Sequence, residues 1–350
     1  MTADKVYRNA KIYSVALDGT ETHAEALAIK DGKFVYVGDE AGVAEWIGDT
    51  TEVIDCNGKS VIPGLGDAHM HIAHAAKRYG SCSFSDIVPD PETDTPEGVL
   101  GQIQEKLRAY AEEHRDDPVI RGMGWDRAWF SGGLQGIVRP FTRHDIDAVV
   151  PDKPVVLMSF CGHRMMLNSK ALEVAGVTKD TDSQNGLIVK EADGTPSGYL
   201  KEPAIYGPII ARIPNYEFSP EEHHSYVKKA FAEFAENGYT LLCDCQQIEI
   251  PYEVVSEMAK NGEFTVRLSG VHNINDATRE ADLEQAIKNR TKFDVEDLFI
   301  VDTVKYFADG TLSMIEPYVE TAGEDKAGTR EPRLWDEEHM EEYMALASKR

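Results

Sequence analysis

The stretch Val61-Ile62-Pro63-Gly64-Leu65-Gly66-Asp67-Ala68-His69-Met70-His71 decides the fold, because it ends an apolar run with three metal-capable side chains. Side chains alternate between the two faces of an extended chain, so Asp67, His69 and His71 are expected to share one face. Two imidazoles at one strand end can hold a divalent metal and leave other positions for further ligands and water. Asp67 is expected either to orient a ligand or to cap a turn. The stretch alone therefore predicts half of a metal site.

The composition is that of an acidic globular protein with enough apolar residues for a core. Lys and Arg number 36 against 61 Asp and Glu, which gives a net charge of −25. This excess argues against a nucleic-acid partner, because phosphate binding needs a cationic surface. No apolar run approaches the ~20 residues of a membrane span, and the N-terminus lacks the apolar segment of a signal peptide. Five scattered cysteines without a CxxC pair favour a reducing compartment. We expect a soluble, cytoplasmic protein.

Residues 5–62 are expected to form a small antiparallel β module. Asp31-Gly32 and Asn57-Gly58 each separate two short apolar runs, and such dipeptides are strong hairpin signals. Both pairs of runs are therefore predicted to be hairpins. The last run leads into the opening stretch.

From residue 219 the chain alternates amphipathic helices with apolar strands, which is typical of parallel β/α units. A capping box at 219–222 begins the first helix. The predicted strands cover residues 239–243, 265–271 and 299–307. With the opening stretch they make about four, whereas a closed barrel has eight strands over roughly 250 residues. We therefore expect that about half of a barrel is present.

The region between the opening stretch and residue 219 carries many turn signals and breaks this rhythm. A helix is predicted at 95–113, with Thr95 as its cap, and a short helix at 169–175, ended by Gly176. We interpret this region as an insertion of mixed α and β structure.

The opening stretch is similar to the PGLxDxHxH signature of the amidohydrolase superfamily. Later segments resemble its YtcJ-like branch (amidohydrolase family 3), which includes an N-substituted formamide deformylase. In chain order these segments are Arg121–Asp126, Cys161–His163, Asn168–Leu172, Gly194–Glu202, Gly238–Thr240 and Val304–Gly310. The resemblance implies a metal-dependent-hydrolase (β/α)8 TIM barrel over 63–350, truncated and with an insertion at about 80–218. It also implies that 1–62 is a β-sandwich module, since both chain ends form a sandwich in this superfamily.

The resemblance implies a metal site in which His69 and His71 are the first ligands and a carboxylated lysine bridges two ions. Lys305 is the candidate bridge, because a bare ammonium in an apolar strand is costly and burial favours the neutral amine that carbamylation needs. Glu202, a carboxylate in the branch's motif, is the competing bridge. One or two zinc ions suit imidazole ligands best, and iron, manganese or cobalt are alternatives.

His163 and Asp309 are the candidates for substrate contact. Asp309 follows the last predicted strand, where barrel active sites lie, but it could instead begin a turn with Gly310. His163 lies in a segment of the resembled branch, but it could instead be a structural histidine bonded to backbone. The superfamily's later His ligands and its Asp general base are not among the matching segments, so we expect them after residue 350.

These patterns predict a metal-dependent amidohydrolase that cleaves a C–N bond, other than a peptide bond, with metal-activated water. Two alternatives stay open: a non-catalytic metal-binding or scaffold remnant, and a related esterase or lactonase. A homodimer is expected by analogy with similar folds. Cys243 and Cys245, two apart on a strand, could bind a soft metal but are expected to be core thiols.

Overall fold

The structure is a computed structural model that describes residues 2–16, 18–182, 187–245, 251–307 and 335–349. It divides into two compact units. The first comprises Met1–Asp67 and Gly238–Leu241, and the second comprises Ala68–Asn237 and Leu242–Arg350.

The described part of the first unit forms two small sheets and one short helix. Its elements are β1 (Lys5–Arg8), β2 (Lys11–Val15), β3 (Glu21–Ala24), β4 (Ala26–Lys30), β5 (Lys33–Gly38), α1 (Glu40–Val43), β6 (Glu52–Asp55) and β7 (Ser60–Val61). The strand orders are β5-β4-β1-β6 and β3-β2-β7. A cluster that includes Ile12 and Leu27 joins apolar side chains of both sheets.

One of the two predicted hairpins is confirmed and the other is wrong. Asp31-Gly32 joins the antiparallel strands β4 and β5, with positive φ at both residues. Asn57-Gly58 also turns with positive φ, at 51° and 72°. However, β6 pairs in parallel with β1, and β7 pairs in parallel with β2. The module is therefore mixed, not antiparallel.

A second turn, at Asn9, lies beside the turn at Asn57-Gly58. It explains why β6 and β7 pair with other strands and do not form a hairpin. Gly58 donates its N–H to the carbonyl of Asn9 at 2.7 Å, and Lys11 donates to the carbonyl of Lys59 at 2.9 Å. Asn9 itself has φ of 50°. The turn at Asn9 and the turn at Asn57-Gly58 lie next to each other. The chain passes through them from the paired strands β1 and β6 of one sheet to the paired strands β2 and β7 of the other. A tight turn sets the local direction of the chain, but it does not determine which strands pair with each other.

The region predicted as an insertion contains a six-stranded sheet of order β13-β14-β12-β11-β10-β9. Strands β9 to β11 are parallel, and β11 to β14 pair antiparallel. The elements are β9 (Cys82–Ser83), α3 (Pro96–Glu113), β10 (Ile120–Trp125), α4 (Arg143–Asp147), β11 (Val155–Ser159), β12 (Arg164–Leu167), α5 (Ser169–Val174), β13 (Ile188–Lys190), β14 (Pro196–Lys201) and α6 (Pro203–Ile210). The predicted α3 is confirmed, and its cap Thr95 accepts from the N–H of Gly98.

A four-stranded sheet has the order β17-β16-β15-β8. Its strands and the remaining helices are β8 (Leu65–Met70), α2 (Ile72–Lys77), α7 (Pro220–Glu236), β15 (Tyr239–Asp244), α8 (Tyr252–Lys260), β16 (Arg267–Ile274), α9 (Arg279–Phe293), β17 (Phe299–Tyr306) and α10 (Glu337–Ala347). The predicted alternation of helix and strand is confirmed, as is the capping box at Ser219, and β16 and β17 are parallel. Within the described ranges this sheet does not close, so the eight-stranded barrel stays a prediction. None of the helices described is both long and apolar enough for a bilayer span.

Candidate active site

Three histidines lie in succession where β8 ends and α2 begins. His71 is the extended residue that precedes α2, with φ of −129°. Its ring centroid lies 5.5 Å from that of His69 and 5.6 Å from that of His74. Met70, between the first two histidines, is 8% exposed and packs inward. The alternation of faces therefore presents His69 and His71 together. We refer to His69, His71 and His74 as the histidine row.

The histidine row fits a metal through the chemistry of its nitrogens. Nδ1 of His71 is buried and has no hydrogen-bond partner among the described residues. Neighbouring imidazoles at a strand end are donors that zinc and similar ions prefer. No group of three His, Cys, Asp or Glu side chains that could bind a metal occurs within the described ranges. The role of His69 and His71 as the first two metal ligands therefore stays a prediction.

Asp244 is a residue that the sequence reasoning missed. It ends β15, and its side chain is 2% exposed, with Oδ1 lying 3.9 Å from Nδ1 of His71. Carboxylates commonly orient metal-binding histidines through the ring nitrogen that does not bind the metal. The signal was available, because Asp244 ends the strand that follows α7, where barrel sites collect their side chains. The sequence-based prediction for this strand concerned the cysteines on either side of Asp244 instead.

Lys305 lies near the end of β17, paired in register with Asn273 of β16. Its Nζ lies 4.7 Å from the ring centroid of Phe307, in a cation–π contact. β17 and β8 are opposite edges of one sheet, so three strand spacings separate them, on the order of 14 Å in a flat sheet. The structure does not gather Lys305 and the histidine row into one cluster. Its bridging role stays a prediction.

His163 and Glu202 meet at one end of the β12–β14 pair. Arg164 pairs in register with Lys201, so the residues just outside this pair face each other. The N–H of Glu202 donates to the carbonyl of His163 at 2.9 Å, which extends the ladder by one residue. Sequence reasoning named both residues but not their contact, because the register joins segments far apart in the chain. Asp309 lies outside the described residues.

Both carboxylate oxygens of Glu202 accept hydrogen bonds. Oε2 lies 3.0 Å from Nδ1 of His163, and Oε1 accepts from Nη1 of Arg164 at 2.5 Å. Arg164 is 5% exposed, and a charge-assisted bond of this kind is stronger than a neutral one. Glu202 has φ of 66° and ψ of 135°, a conformation that costs a non-glycine residue ~1–3 kcal/mol. The surrounding contacts therefore hold this carboxylate in place.

Gly162 connects this pair to the histidine row. It has φ of +74°, and a Cβ built there would lie 3.3 Å from Cε1 of His74. Its carbonyl accepts a hydrogen bond from the hydroxyl of Tyr206. Gly162 therefore lies against His74, one member of the row.

Cys243 and Cys245 are half-buried, and their sulfur atoms lie 3.7 Å apart. Burial, and next the hydrogen bond with Cys245, raise the pKa of Cys243 to about 11. Cys245 donates to the carbonyl of Ala68 at 3.3 Å. Their role as core thiols stays a prediction.

Comparison with known proteins gives a consistent result. A sequence profile described as the amidohydrolase family matches residues 52–350. The putative amidohydrolase YtcJ of Bacillus subtilis is 25% identical over 340 residues, which are 96% of this chain and 59% of that protein. The N-substituted formamide deformylase of Arthrobacter pascens is 28% identical over 202 residues, which are 57% of this chain and 34% of that protein.

A solved structure shares the fold. It is an uncharacterized metal-dependent hydrolase from Pyrococcus horikoshii, with a TM-score of 0.66 at 19% identity, over 99% of this chain and 63% of that one. The chain thus spans less than two thirds of the length of these relatives.

Proposed function

The chain belongs to the amidohydrolase family, and we propose that it is a metal-dependent hydrolase that cleaves a C–N amide-type bond of a small molecule with water. The observation that carries this proposal is the pair His69 and His71, which lie together at the end of β8 with ring centroids 5.5 Å apart. Neutral imidazoles in this arrangement suit a divalent ion. The family and the fold shared with a metal-dependent hydrolase support the same chemistry.

Each residue has a defined part in this proposal. His69 and His71 would hold the metal, and the carboxylate of Asp244 would orient His71. A divalent metal there supplies acidified water and a Lewis acid for a carbonyl oxygen. Lys305 in carboxylated form would be the bridge between two ions, with Glu202 as the alternative. His163 and Asp309 would contact the substrate. Zinc, the cytoplasm as the place of action and a homodimer complete the proposal.

Metal content tests the site. We expect the purified wild type to carry divalent metal and the variant His69→Ala/His71→Ala to lose it, as measured by elemental mass spectrometry. The matched control His23→Ala/His144→Ala removes two histidines whose side chains are 70% and 60% exposed, and it should retain the wild-type content. Equal metal in all three proteins would refute the assignment of His69 and His71.

A substrate panel tests the reaction. N-formylamines and simple amides should be hydrolysed, and the rate should fall with chelation and recover with added zinc. Hydrolysis confined to matched esters or lactones would replace the proposal by the esterase alternative. Metal binding without turnover of either class would favour the non-catalytic alternative.

A further inference from the structure

We propose that Glu202 is a positioning residue: it holds His163 with a proton on Nδ1, so that Nε2 is left as a hydrogen-bond acceptor for an N–H group of the substrate. The acceptor role rests on the proposed hydrolase function. The state of the His163 ring does not depend on that function and can be measured directly.

The donors and acceptors around the carboxylate fix the state of the ring. An ionised carboxylate only accepts hydrogen bonds, and a guanidinium only donates them. Because Oε2 of Glu202 lies 3.0 Å from Nδ1 of His163, Nδ1 must be the donor. The other ring nitrogen of a neutral histidine is then an acceptor. Nε2 of His163 is thus the nitrogen available to a ligand.

The contacts around His163 restrict the ring as well as its proton. The carbonyl of His163 accepts from the N–H of Glu202 at 2.9 Å and from Nη1 of Arg164 at 2.8 Å. The same Nη1 binds Oε1 of Glu202, so one buried guanidinium ties the peptide of His163 to the carboxylate that orients its ring. The side chain of His163 remains 29% exposed, which leaves the ring accessible.

The location agrees with a role in substrate binding. Gly162 precedes His163 and lies against His74 of the histidine row. A substrate whose carbonyl carbon reacts near His69 and His71 would have the nitrogen of its C–N bond a short distance away. An acceptor nitrogen on the adjacent segment is suited to the N–H of an amide and not to the ether oxygen of an ester.

Nitrogen-15 NMR of histidine-labelled protein, free of metal and ligand, tests the proposal. Long-range proton–nitrogen correlations distinguish the two neutral tautomers, and the variant His163→Gln assigns the signal. We expect His163 in the wild type to be protonated on Nδ1 with Nε2 unprotonated. A neutral His163 that carries its proton on Nε2 would overturn the proposal, and this outcome is measured on the wild type.

Glu202→Gln gives a sharper second test. Arg164 can only donate, so it should take the amide oxygen and turn the NH2 group towards Nδ1 of His163. Nδ1 must then accept, and we expect the tautomer to switch to Nε2–H. Metal content, measured as for His69→Ala/His71→Ala, should equal that of the wild type. An unchanged tautomer together with lost metal would overturn the proposal in favour of Glu202 as a metal ligand.

The chain offers a matched control for this variant. Glu263 also joins a histidine and a cation, with Nε2 of His224 at 3.2 Å and Nζ of Lys228 at 2.8 Å. Glu263→Gln makes the same chemical change in the more exposed pair. It should leave the His163 signals at their wild-type positions, and a switch of the His163 tautomer in this control would refute the specific link to Glu202.

Discussion

The carboxylate of Asp244 lies 3.9 Å from Nδ1 of His71 while almost none of its side chain meets solvent. The distance is longer than a hydrogen bond, so the two groups form a loose pair. A small rotation of either side chain would bring them into contact. Binding of a metal by Nε2 of His71 would favour that contact, because a coordinated histidine donates its other N–H.

Asp244→Asn should therefore weaken metal binding by about 10–100-fold, the usual effect of losing a carboxylate that orients a ligand. A competition titration with a zinc chelator measures the affinity. Asp302→Asn, which changes an exposed carboxylate on β17, is the control and should keep the wild-type affinity. If both variants keep it, Asp244 does not act on His71.

Gly162→Ala should destabilise the protein more than Gly176→Ala does. Both glycines have positive φ, at +74° and +68°, so each alanine costs about 1–2 kcal/mol from backbone strain. Only the alanine at 162 meets a neighbour, Cε1 of His74 at 3.3 Å, whereas nothing lies within 4 Å at 176. Denaturant unfolding measures the difference. Equal losses of stability in the two variants would mean that the contact with His74 adds no cost to an alanine at position 162.

Burial of His272 should make stability fall in acid. The ring is 3% exposed, and desolvation lowers its pKa below the ordinary value of about 6.5. As pH falls below 6.5, the unfolded chain takes up a proton that the folded chain resists, so the free energy of unfolding decreases by up to about 1.4 kcal/mol per pH unit. Above 6.5 both states are neutral and this contribution is fully present.

The measurement is the slope of unfolding free energy against pH between 7.5 and 5.5. His272→Gln should reduce that slope, even if its stability is lower throughout. His144→Gln removes a histidine that is 60% exposed and should leave the slope nearly as it is. A slope that His272→Gln does not change would contradict the prediction.

Gly64→Ala should cost about 1–3 kcal/mol, as overpacking of a tight contact does. A Cβ at Gly64 would lie 2.3 Å from Oγ1 and Cγ2 of Thr240 and 2.8 Å from its Cβ, so the backbone has to move. Gly66, two residues further on and within β8, has its nearest neighbour at 4.0 Å. Gly66→Ala should be nearly neutral in the same unfolding assay, and a similar loss in both variants would show that the close approach is not the cause.

Local patterns in the sequence predicted the parts of the fold that depend on local chemistry. The cap at Thr95, the capping box at Ser219 and the turn at Asp31-Gly32 each need only a few consecutive residues. Pairing over long distances was not predictable in this way. The corner at Asn57-Gly58 has the dihedral angles of a hairpin turn, yet its strands join two different sheets.

The residues of the candidate site likewise divide into those that local sequence patterns predict and those that depend on long-range pairing. His69 and His71 are two residues apart in sequence, so their proximity follows from strand alternation alone. Asp244 and the bond between His163 and Glu202 depend on which strands lie side by side and in which register. Periodicity does not encode that information, so these residues were missed or assigned separate roles.

The first compact unit combines segments that lie far apart in the chain, and this affects how the chain folds as it is synthesised. Leu65 donates its N–H to the carbonyl of Gly238 at 3.1 Å, and Gly238–Leu241 belongs to the same compact unit as the first 67 residues. The leading part of the chain therefore emerges from the ribosome long before this partner segment exists. Its last strand must wait, with unpaired backbone groups, until the inserted sheet and α7 have been made. Such high contact order slows folding.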